Sequence, residues 1–312
     1  MASRLGQDQD TAIILAMFGV SNPAGLPGIL GIWRSVRASF ASDVLLVFTS
    51  NIIRDIWRKR SLNQGESNSS DFPVEILNVK GILGAIGDLQ NRGVANIVIQ
   101  PTYLCHGEQY EDLLSYVQAI NSIKTVKEKW MPFKRPIAVG RPLTGTWGPS
   151  HPYRDDLVRV AEALRPQVER ARDMDAALVY MGHGNRYMAC GIYHELESIM
   201  SGMYPDVPVF IGTVEGFPGI ESLLNRIKIR SRKDVLLYPL MIVAGEHATN
   251  DMAGSSPTSW KNILKSNGYK VTPVFEGLGE LESVQQMFVS HIDDAAKDVG
   301  INLCRLENKP EV

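Results

Sequence analysis

Residues 234–243 read DVLLYPLMIV, a run of ten residues with a single charged side chain, at its first position. A strand with one face in water alternates apolar and polar residues, whereas a strand covered on both faces is apolar almost throughout. This run therefore predicts a strand that is buried on both faces, as in a parallel sheet flanked by helices.

Seven further apolar runs of this kind are spread along the chain. They are AIILAMF (12–18), DVLLVF (43–48), NIVIQ (96–100), PIAVG (136–140), ALVYMG (177–182), VPVFIGT (207–213) and KVTPVFEG (270–277). Amphipathic segments long enough to connect parallel strands lie between them, namely GILGIWRSVRA, EDLLSYVQAINSIKTV, YRDDLVRVAEALRPQVERARD and SSPTSWKNILKS. We therefore predict an α/β protein with eight strands in two sets of four.

Two segments of distinct composition interrupt the alternation of predicted strands and helices. The glycine- and proline-rich stretch GRPLTGTWGPSHP at 140–152 is the predicted linker between the two sets. The polar run SLNQGESNSSD at 61–71 is a predicted surface loop.

Overall composition excludes several classes of protein. The 312 residues, 44% of them hydrophobic, suffice for one large or two medium domains, and the formal net charge of −2 gives no basic excess for nucleic acid or a membrane surface. Three cysteines without a CxxC spacing argue against a disulfide framework. No apolar signal segment opens the chain, and TAIILAMFGV is too short to span a bilayer, so we expect a cytoplasmic protein.

Familiar motifs of other enzyme classes are missing from the sequence. It contains no GxGxxG after the first strand, no GxxxxGK[ST], no HExxH and no GxSxG. We therefore expect no nucleotide cofactor, and neither a zinc protease nor an ordinary hydrolase.

Three chemically capable residues follow successive predicted strands of the second set. His183 in MGHG, Glu215 in TVEG and His247 in AGEHA are separated by 32 residues in both intervals. Each alone would more often be an ordinary loop or capping residue, but the carboxyl ends of parallel strands meet at one edge of a sheet. Two imidazoles and one carboxylate suit Co²⁺, Fe²⁺, Ni²⁺ or Zn²⁺ and leave coordination positions open. The three together predict a metal-handling site.

Longer motifs resemble a known family over nearly the whole chain. ILAMFGVSN, VFTSNIIR, VIQPTYLCHGEQYEDL, MGHGN, GTVEGFPG and, most specifically, AGEHATNDMAG followed by SWKNILKSNGY resemble the anaerobic sirohydrochlorin cobaltochelatases, class II chelatases related to ferrochelatase. In that family the positions matching His183, Glu215 and His247 hold the metal and assist its insertion.

The resemblance also implies an architecture, the chelatase fold. Two flavodoxin-like or Rossmann-like halves, 1–140 and 141–312, each contain a four-stranded parallel sheet flanked by helices. The metal site belongs to the second half, and the last helix, around LESVQQMFVSHIDDAAKDV, is expected to pack on the first.

The implied substrate, sirohydrochlorin, carries eight carboxylates and therefore needs hydrogen-bond donors around its rim. Backbone amides of the glycine-rich loops can supply them at helix N-termini. The candidate substrate-binding residues are Ser21, Arg54, Tyr103, His106, Gly107 and Gly182. For Arg54 a solvated surface position is the more ordinary interpretation, and His106 is alternatively an ordinary loop residue or an axial ligand of a bound tetrapyrrole.

The predicted reaction is insertion of Co²⁺ into sirohydrochlorin. His183 and His247 would bind the ion as neutral imidazoles, with Glu215 as third ligand or as proton acceptor through water and Glu246 as a candidate orienter of an imidazole. Insertion of Fe²⁺ to give sirohaem, insertion of Ni²⁺, and a non-catalytic tetrapyrrole-binding protein are the alternatives, because ligand softness barely separates these ions. The sequence leaves open whether the chain forms a homo-oligomer.

Overall fold

A computed structural model of the protein describes residues 10–63, 72–127, 130–185, 191–230 and 232–306. Most of the predicted surface loop at 61–71 lies outside these ranges, as does Cys190. Backbone contacts divide the chain into two units. The first contains the described residues up to Ser21, those from Ile29 to Thr146 and those from Gln285 onward, and the second contains Asn22–Gly28 and Trp147–Val284.

The sheet of the first unit consists of β1 (Thr11–Met17), β2 (Asp43–Phe48), β3 (Asn96–Pro101) and β4 (Ala138–Val139). All pairs are parallel, in the order β2-β1-β3-β4. Every residue of β1 is buried because this strand has a neighbour on each side and is covered on both faces.

The helices associated with this sheet are α1 (Leu26–Ser39), α2 (Asn51–Asn63), α3 (Val74–Leu77), α4 (Ile82–Asn91) and α5 (Glu108–Asn121). A core forms where side chains of β1 and β3 meet those of α4 and α5, including Ile14, Ile99, Ile86, Leu89 and Leu113. The helix α1 starts in the second unit and continues in the first from Ile29.

The last helix, α11 (Glu282–Asp298), belongs to the first unit from Gln285 onward. Arg141, which follows β4, donates from Nη1 to Oδ2 of Asp294 at 2.9 Å. Gln286 donates from Nε2 to Oγ of Ser35 in α1 at 3.1 Å. These contacts hold the carboxyl-terminal part of α11 against elements of the first unit.

The second unit repeats the topology of the first. Its strands are β5 (Ala177–Gly184), β6 (Val209–Glu215), β7 (Asp234–Leu240) and β8 (Lys270–Pro273), all parallel in the order β6-β5-β7-β8. Its helices are α6 (Tyr153–Ala163), α7 (Arg165–Asp173), α8 (Gly191–Met203), α9 (Ile220–Ile227) and α10 (Trp260–Ser266). The prediction of an α/β fold with two four-stranded parallel sheets flanked by helices is confirmed.

One predicted amphipathic segment is divided in the structure. The stretch 153–173 forms α6 and α7, which are separated at Leu164. Pro166 explains the break, because it lacks an N–H and its ring clashes with the carbonyl four residues earlier in a continuous helix. Among the described residues, no helix combines the length and apolar character needed to cross a bilayer.

The strand β6 lies at the edge of its sheet, and two side chains cover its free edge. Glu197 accepts from the backbone N–H of Ile211 at 2.5 Å, and Arg226 donates from Nη2 to the carbonyl of Ile211 at 2.8 Å. Glu197 and Arg226 also form an ion pair with each other. Because the exposed backbone groups of an edge strand otherwise invite pairing with another chain, this contact both protects β6 and anchors it.

Candidate metal centre

The three predicted metal-handling residues all lie at the carboxyl edge of the second sheet. His183 is the penultimate residue of β5, and Glu215 is the last residue of β6, in register with Gly184. His247 follows β7 and directly precedes a π-helical turn, Ala248–Met252. Their common edge is the one at which open parallel sheets bind ligands.

The two imidazoles are close neighbours. The ring centroids of His183 and His247 are 4.7 Å apart, and the ring planes are perpendicular at 89°. His183 is exposed, and the side chain of His247 retains 42% of its accessible surface. Since imidazole nitrogens bind divalent ions at about 2.0–2.1 Å, two rings at this separation can serve one ion that arrives from solvent.

Hydrogen bonds assign the same tautomer to both rings. Nδ1 of His183 lies 2.8 Å from the carbonyl oxygen of Gly184, and Nδ1 of His247 lies 2.7 Å from Oδ2 of Asp251. A carbonyl or carboxylate oxygen only accepts, so each Nδ1 carries the proton and donates it. The Nε2 lone pair of each ring is therefore directed away from the protein contact and available to an ion.

Asp251 is a residue that sequence reasoning missed. We expected Glu246 as the candidate orienter of an imidazole, whereas the structure places Asp251 against Nδ1 of His247. The signal was present in AGEHATNDM, because Asp251 follows His247 by four residues and such residues share one face of a helical turn.

Two glycines and a tyrosine shape the end of β5. A Cβ added to Gly182 would lie 2.4 Å from Cε1 of Tyr193, and one added to Gly184 would lie 2.0 Å from the carbonyl oxygen of Glu215. Gly184 also has a φ of +73°, which favours glycine. The Tyr193 hydroxyl accepts from the N–H of Gly184 at 3.2 Å. The predicted substrate-binding residue Gly182 is thus buried against Tyr193, and His183 projects between two tightly packed glycines.

A short closed loop carries Glu215. The backbone N–H of Thr213 donates to the carbonyl of Pro218 at 2.8 Å, which closes the loop between them. Glu215 and Phe217 are exposed on this loop, and Gly216 at its centre has a φ of +81°. The carboxylate of Glu215 is consequently accessible to a ligand above the sheet edge.

The structure brings His183 and His247 together but does not join Glu215 to them as a three-ligand set. Within the described ranges, no three His, Cys, Asp or Glu side chains are grouped as a ready metal site. The arrangement is a pair of imidazoles with an exposed carboxylate on the neighbouring strand end. The geometry of such a pair allows two nitrogens to reach one ion, with several coordination positions left open.

The other predicted substrate-binding residues belong to the first unit. Ser21 follows β1, and its carbonyl accepts from Nη1 of Arg60 at 2.6 Å. Arg54 in α2 donates from Nη1 to the carbonyls of Phe48 and Thr49, at 3.0 Å for the latter, and its Nη2 contacts Oδ1 of Asn51. The guanidinium of Arg54 therefore donates to groups within the first unit. It has fewer N–H groups left for a substrate carboxylate than its sequence context suggested.

Tyr103, His106 and Gly107 lie in the loop between β3 and α5. Tyr103 is buried, and its hydroxyl donates to Oγ1 of Thr49 at 3.4 Å. Burial raises the pKa of the Tyr103 phenol, so this hydroxyl stays protonated and able to donate. His106 is exposed, contacts Glu111 and packs edge-on against Tyr110 with ring centroids 4.8 Å apart. Gly107 is the N-cap of α5.

The family model and two sequence relatives indicate the same family. The family model described as cobalt chelatase (CbiK) matches residues 11–297. The sirohydrochlorin cobaltochelatase of Salmonella typhimurium is 30% identical over 286 residues, covering 91% of this chain and 96% of that protein. The sirohydrochlorin cobaltochelatase CbiKC of Nitratidesulfovibrio vulgaris is 29% identical over 284 residues, covering 91% and 89%. The solved structure of CbiX, the terminal enzyme for biosynthesis of siroheme in denitrifying bacteria, has a TM-score of 0.48 at 12% identity and covers 91% of this chain and 99% of its own.

Proposed function

Because this chain belongs to the cobalt chelatase (CbiK) family, we propose that it inserts Co²⁺ into sirohydrochlorin with His183, Glu215 and His247 as the working residues. The observation that carries the proposal is the imidazole pair, whose centroids are 4.7 Å apart at the carboxyl edge of the second sheet. Both rings hold their Nδ1 proton in a hydrogen bond and keep Nε2 for the ion.

Insertion requires a ligand set that holds Co²⁺ without enclosing it. A closed set of four protein ligands would stabilise the ion in the protein, as structural zinc sites do. Two imidazoles leave most of the coordination sphere to water and then to the pyrrole nitrogens of the macrocycle. The ion can therefore pass from the Nε2 atoms of His183 and His247 to the ring in steps, without losing all of its ligands at once.

Insertion also releases two pyrrole protons in turn, and they need an acceptor that passes each one on to solvent. Glu215 is exposed on the neighbouring strand end, and an exposed carboxylate can accept a proton directly or through one water molecule. We assign this role, or that of a third ligand, to Glu215. The closed loop from Thr213 to Pro218 holds the backbone that presents the carboxylate.

Candidate substrate-binding groups lie in strand-end loops of each unit. In the first unit, the exposed imidazole of His106 and the backbone at Gly107 are the candidates for the carboxylate rim. Glu108 and Glu111 lie in the first turn of α5 and oppose an anion at Gly107, and Glu111 also contacts Nε2 of His106, so neither group is a strong donor to the rim. In the second unit, the half-exposed ring of Phe217 adjoins Glu215 and offers an apolar contact for the macrocycle.

A cytoplasmic location belongs to the same proposal. It rests on the cysteine pattern, because three cysteines without a CxxC spacing argue against a disulfide framework. The partner is sirohydrochlorin itself.

The test is anaerobic incubation of the protein with sirohydrochlorin and each of Co²⁺, Fe²⁺ and Ni²⁺, followed by absorbance and corrected for insertion without protein. Imidazole and carboxylate ligands fit all three ions, so the competing ions must be measured together. We expect cobalt insertion well above the spontaneous rate. Tight binding of sirohydrochlorin without faster insertion of any ion would instead indicate a carrier protein.

A further inference from the structure

The carboxylate of Asp251 and the imidazole of His247 form a hydrogen-bonded pair at the metal centre. We propose that Asp251 is a positioning residue, which holds the Nδ1 proton of His247 so that Nε2 presents its lone pair to the ion. This inference rests on the proposed function, because it concerns the same site, but its first test is independent of catalysis.

The geometry of the pair fits this role. Oδ2 of Asp251 lies 2.7 Å from Nδ1 of His247, a short distance that is typical of a hydrogen bond to a charged group. A carboxylate on the second nitrogen fixes the tautomer and the ring orientation of a ligating histidine and increases its basicity. Asp251 itself remains 44% exposed, so its carboxylate keeps contact with solvent.

The turn that carries Asp251 is anchored on both sides. Ala248 and Met252, its first and last residues, are completely buried in the core of the second unit. The carbonyl of Ala253 just beyond it accepts from Nζ of Lys261 at 2.6 Å. Because the backbone is held in this way, the carboxylate of Asp251 has a defined place from which to orient the imidazole.

His183 provides an internal contrast. Its Nδ1 lies 2.8 Å from the carbonyl of Gly184, a backbone group that no side-chain substitution removes. A change at Asp251 should therefore alter the tautomer of His247 alone.

The first experiment is nitrogen NMR of the full chain with ¹⁵N-labelled histidine, at a pH where the rings are neutral. The signals of His247 and His183 are assigned with His247→Gln and His183→Gln. We expect both rings to carry the proton on Nδ1 in the parent. In Asp251→Ala, His247 should shift toward the tautomer that free histidine prefers, with the proton on Nε2, while His183 stays unchanged.

Two further variants complete this experiment. Asp251→Asn keeps an acceptor oxygen without the charge and should give an intermediate tautomer population. Asp155→Ala removes an exposed carboxylate of α6 and should change neither ring. A parent in which His247 carries its proton on Nε2, or an Asp251→Ala spectrum identical to the parent, would overturn the inference.

The second experiment measures cobalt insertion by the same variants. Loss of an orienting group behind a metal ligand typically costs about 10- to 100-fold in metal affinity or activity. We expect Asp251→Ala to raise the KM for Co²⁺ or lower kcat by about tenfold, with the KM for sirohydrochlorin unchanged and with partial recovery in Asp251→Glu. Equal kinetic constants in Asp251→Ala and the parent would refute the positioning role. Absence of insertion by the parent would refute the proposed function instead, and the NMR result would still decide the role of Asp251.

Discussion

The imidazole rings of His183 and His247 stand perpendicular to each other, with their centroids 4.7 Å apart, although 64 residues separate them along the chain. Two adjacent parallel strands, β5 and β7, produce this proximity, because their carboxyl ends meet at one edge. The order of strands in the second sheet therefore places the two imidazoles side by side. Substitutions of either histidine affect the same unit, and their effects on activity can be compared directly.

Replacement of either imidazole should slow cobalt insertion. We expect His183→Ala and His247→Ala each to lower the rate by at least about tenfold, because loss of acid–base or ligand help usually costs that much or more. His194→Ala, an exposed histidine of α8, is the matched control and should keep the parent rate. The rates are measured from the absorbance change during anaerobic incubation with sirohydrochlorin and Co²⁺. Circular dichroism should show that all three variants fold. If either site variant inserted cobalt at the parent rate, that histidine would have no role in metal insertion.

The glycines at the end of β5 should tolerate no side chain. Gly184→Ala places a Cβ 2.0 Å from a backbone oxygen at a φ of +73°, so we expect the free energy of unfolding to fall by about 1–3 kcal/mol. Gly202→Ala in α8 meets nothing within 4 Å and should instead stabilise the protein by about 0.5–1 kcal/mol. Urea unfolding of both variants measures the difference. The same sign of change in the two variants would contradict this description of the strand end.

The ion pair that covers the edge of β6 should contribute to stability. Glu197→Ala removes the acceptor of the Ile211 N–H and the partner of Arg226, and we expect a loss of about 1–3 kcal/mol. Asp55→Ala breaks the exposed pair with Arg58 and should cost less than about 1 kcal/mol. Thermal and urea unfolding compare the two. Equal effects would mean that the edge of β6 does not depend on this pair.

Alkaline stability should depend on Tyr110. Burial, with a further contribution from Glu111, raises the pKa of the Tyr110 phenol from 10.0 to about 12, and Arg141 opposes the rise. The folded state therefore favours the protonated phenol, so its contribution is complete below pH 10.0 and is lost as the pH rises toward about 12. Tyr110→Phe should show a smaller loss of unfolding free energy over that interval than the parent. Tyr116→Phe, an exposed tyrosine of the same helix, is the control, and parallel losses in all three proteins would contradict the prediction.

Sequence patterns sufficed for the fold because buried parallel strands are continuous apolar runs. Such runs located all eight strands found in the described ranges, and the resemblance to sirohydrochlorin cobaltochelatases is confirmed by the family match. The break at Leu164 was missed because hydrophobic periodicity continues through it, although Pro166 marked it. The order of strands within each sheet has no direct signal in the residues.

Side-chain contacts at the site were harder to predict than its location. The positions of His183, Glu215 and His247 at one sheet edge follow from strand spacing alone. The contact between His247 and Asp251 depends on a π-helical turn, and composition does not specify such a turn. Arg54 was a candidate substrate-binding residue, but in the structure its guanidinium donates to nearby backbone carbonyls instead. The sequence alone does not show that these local acceptors are within reach.

The role of the imidazole pair in cobalt insertion is tested most directly by comparing the parent with the double variant His183→Ala, His247→Ala. Both proteins are incubated anaerobically with sirohydrochlorin and Co²⁺ at equal concentration, and absorbance is corrected for insertion without protein. We expect the parent to insert cobalt well above the spontaneous rate, and the folded double variant to bind sirohydrochlorin but insert cobalt no faster than buffer. Insertion by the double variant at the parent rate would show that the imidazole pair is not the metal centre.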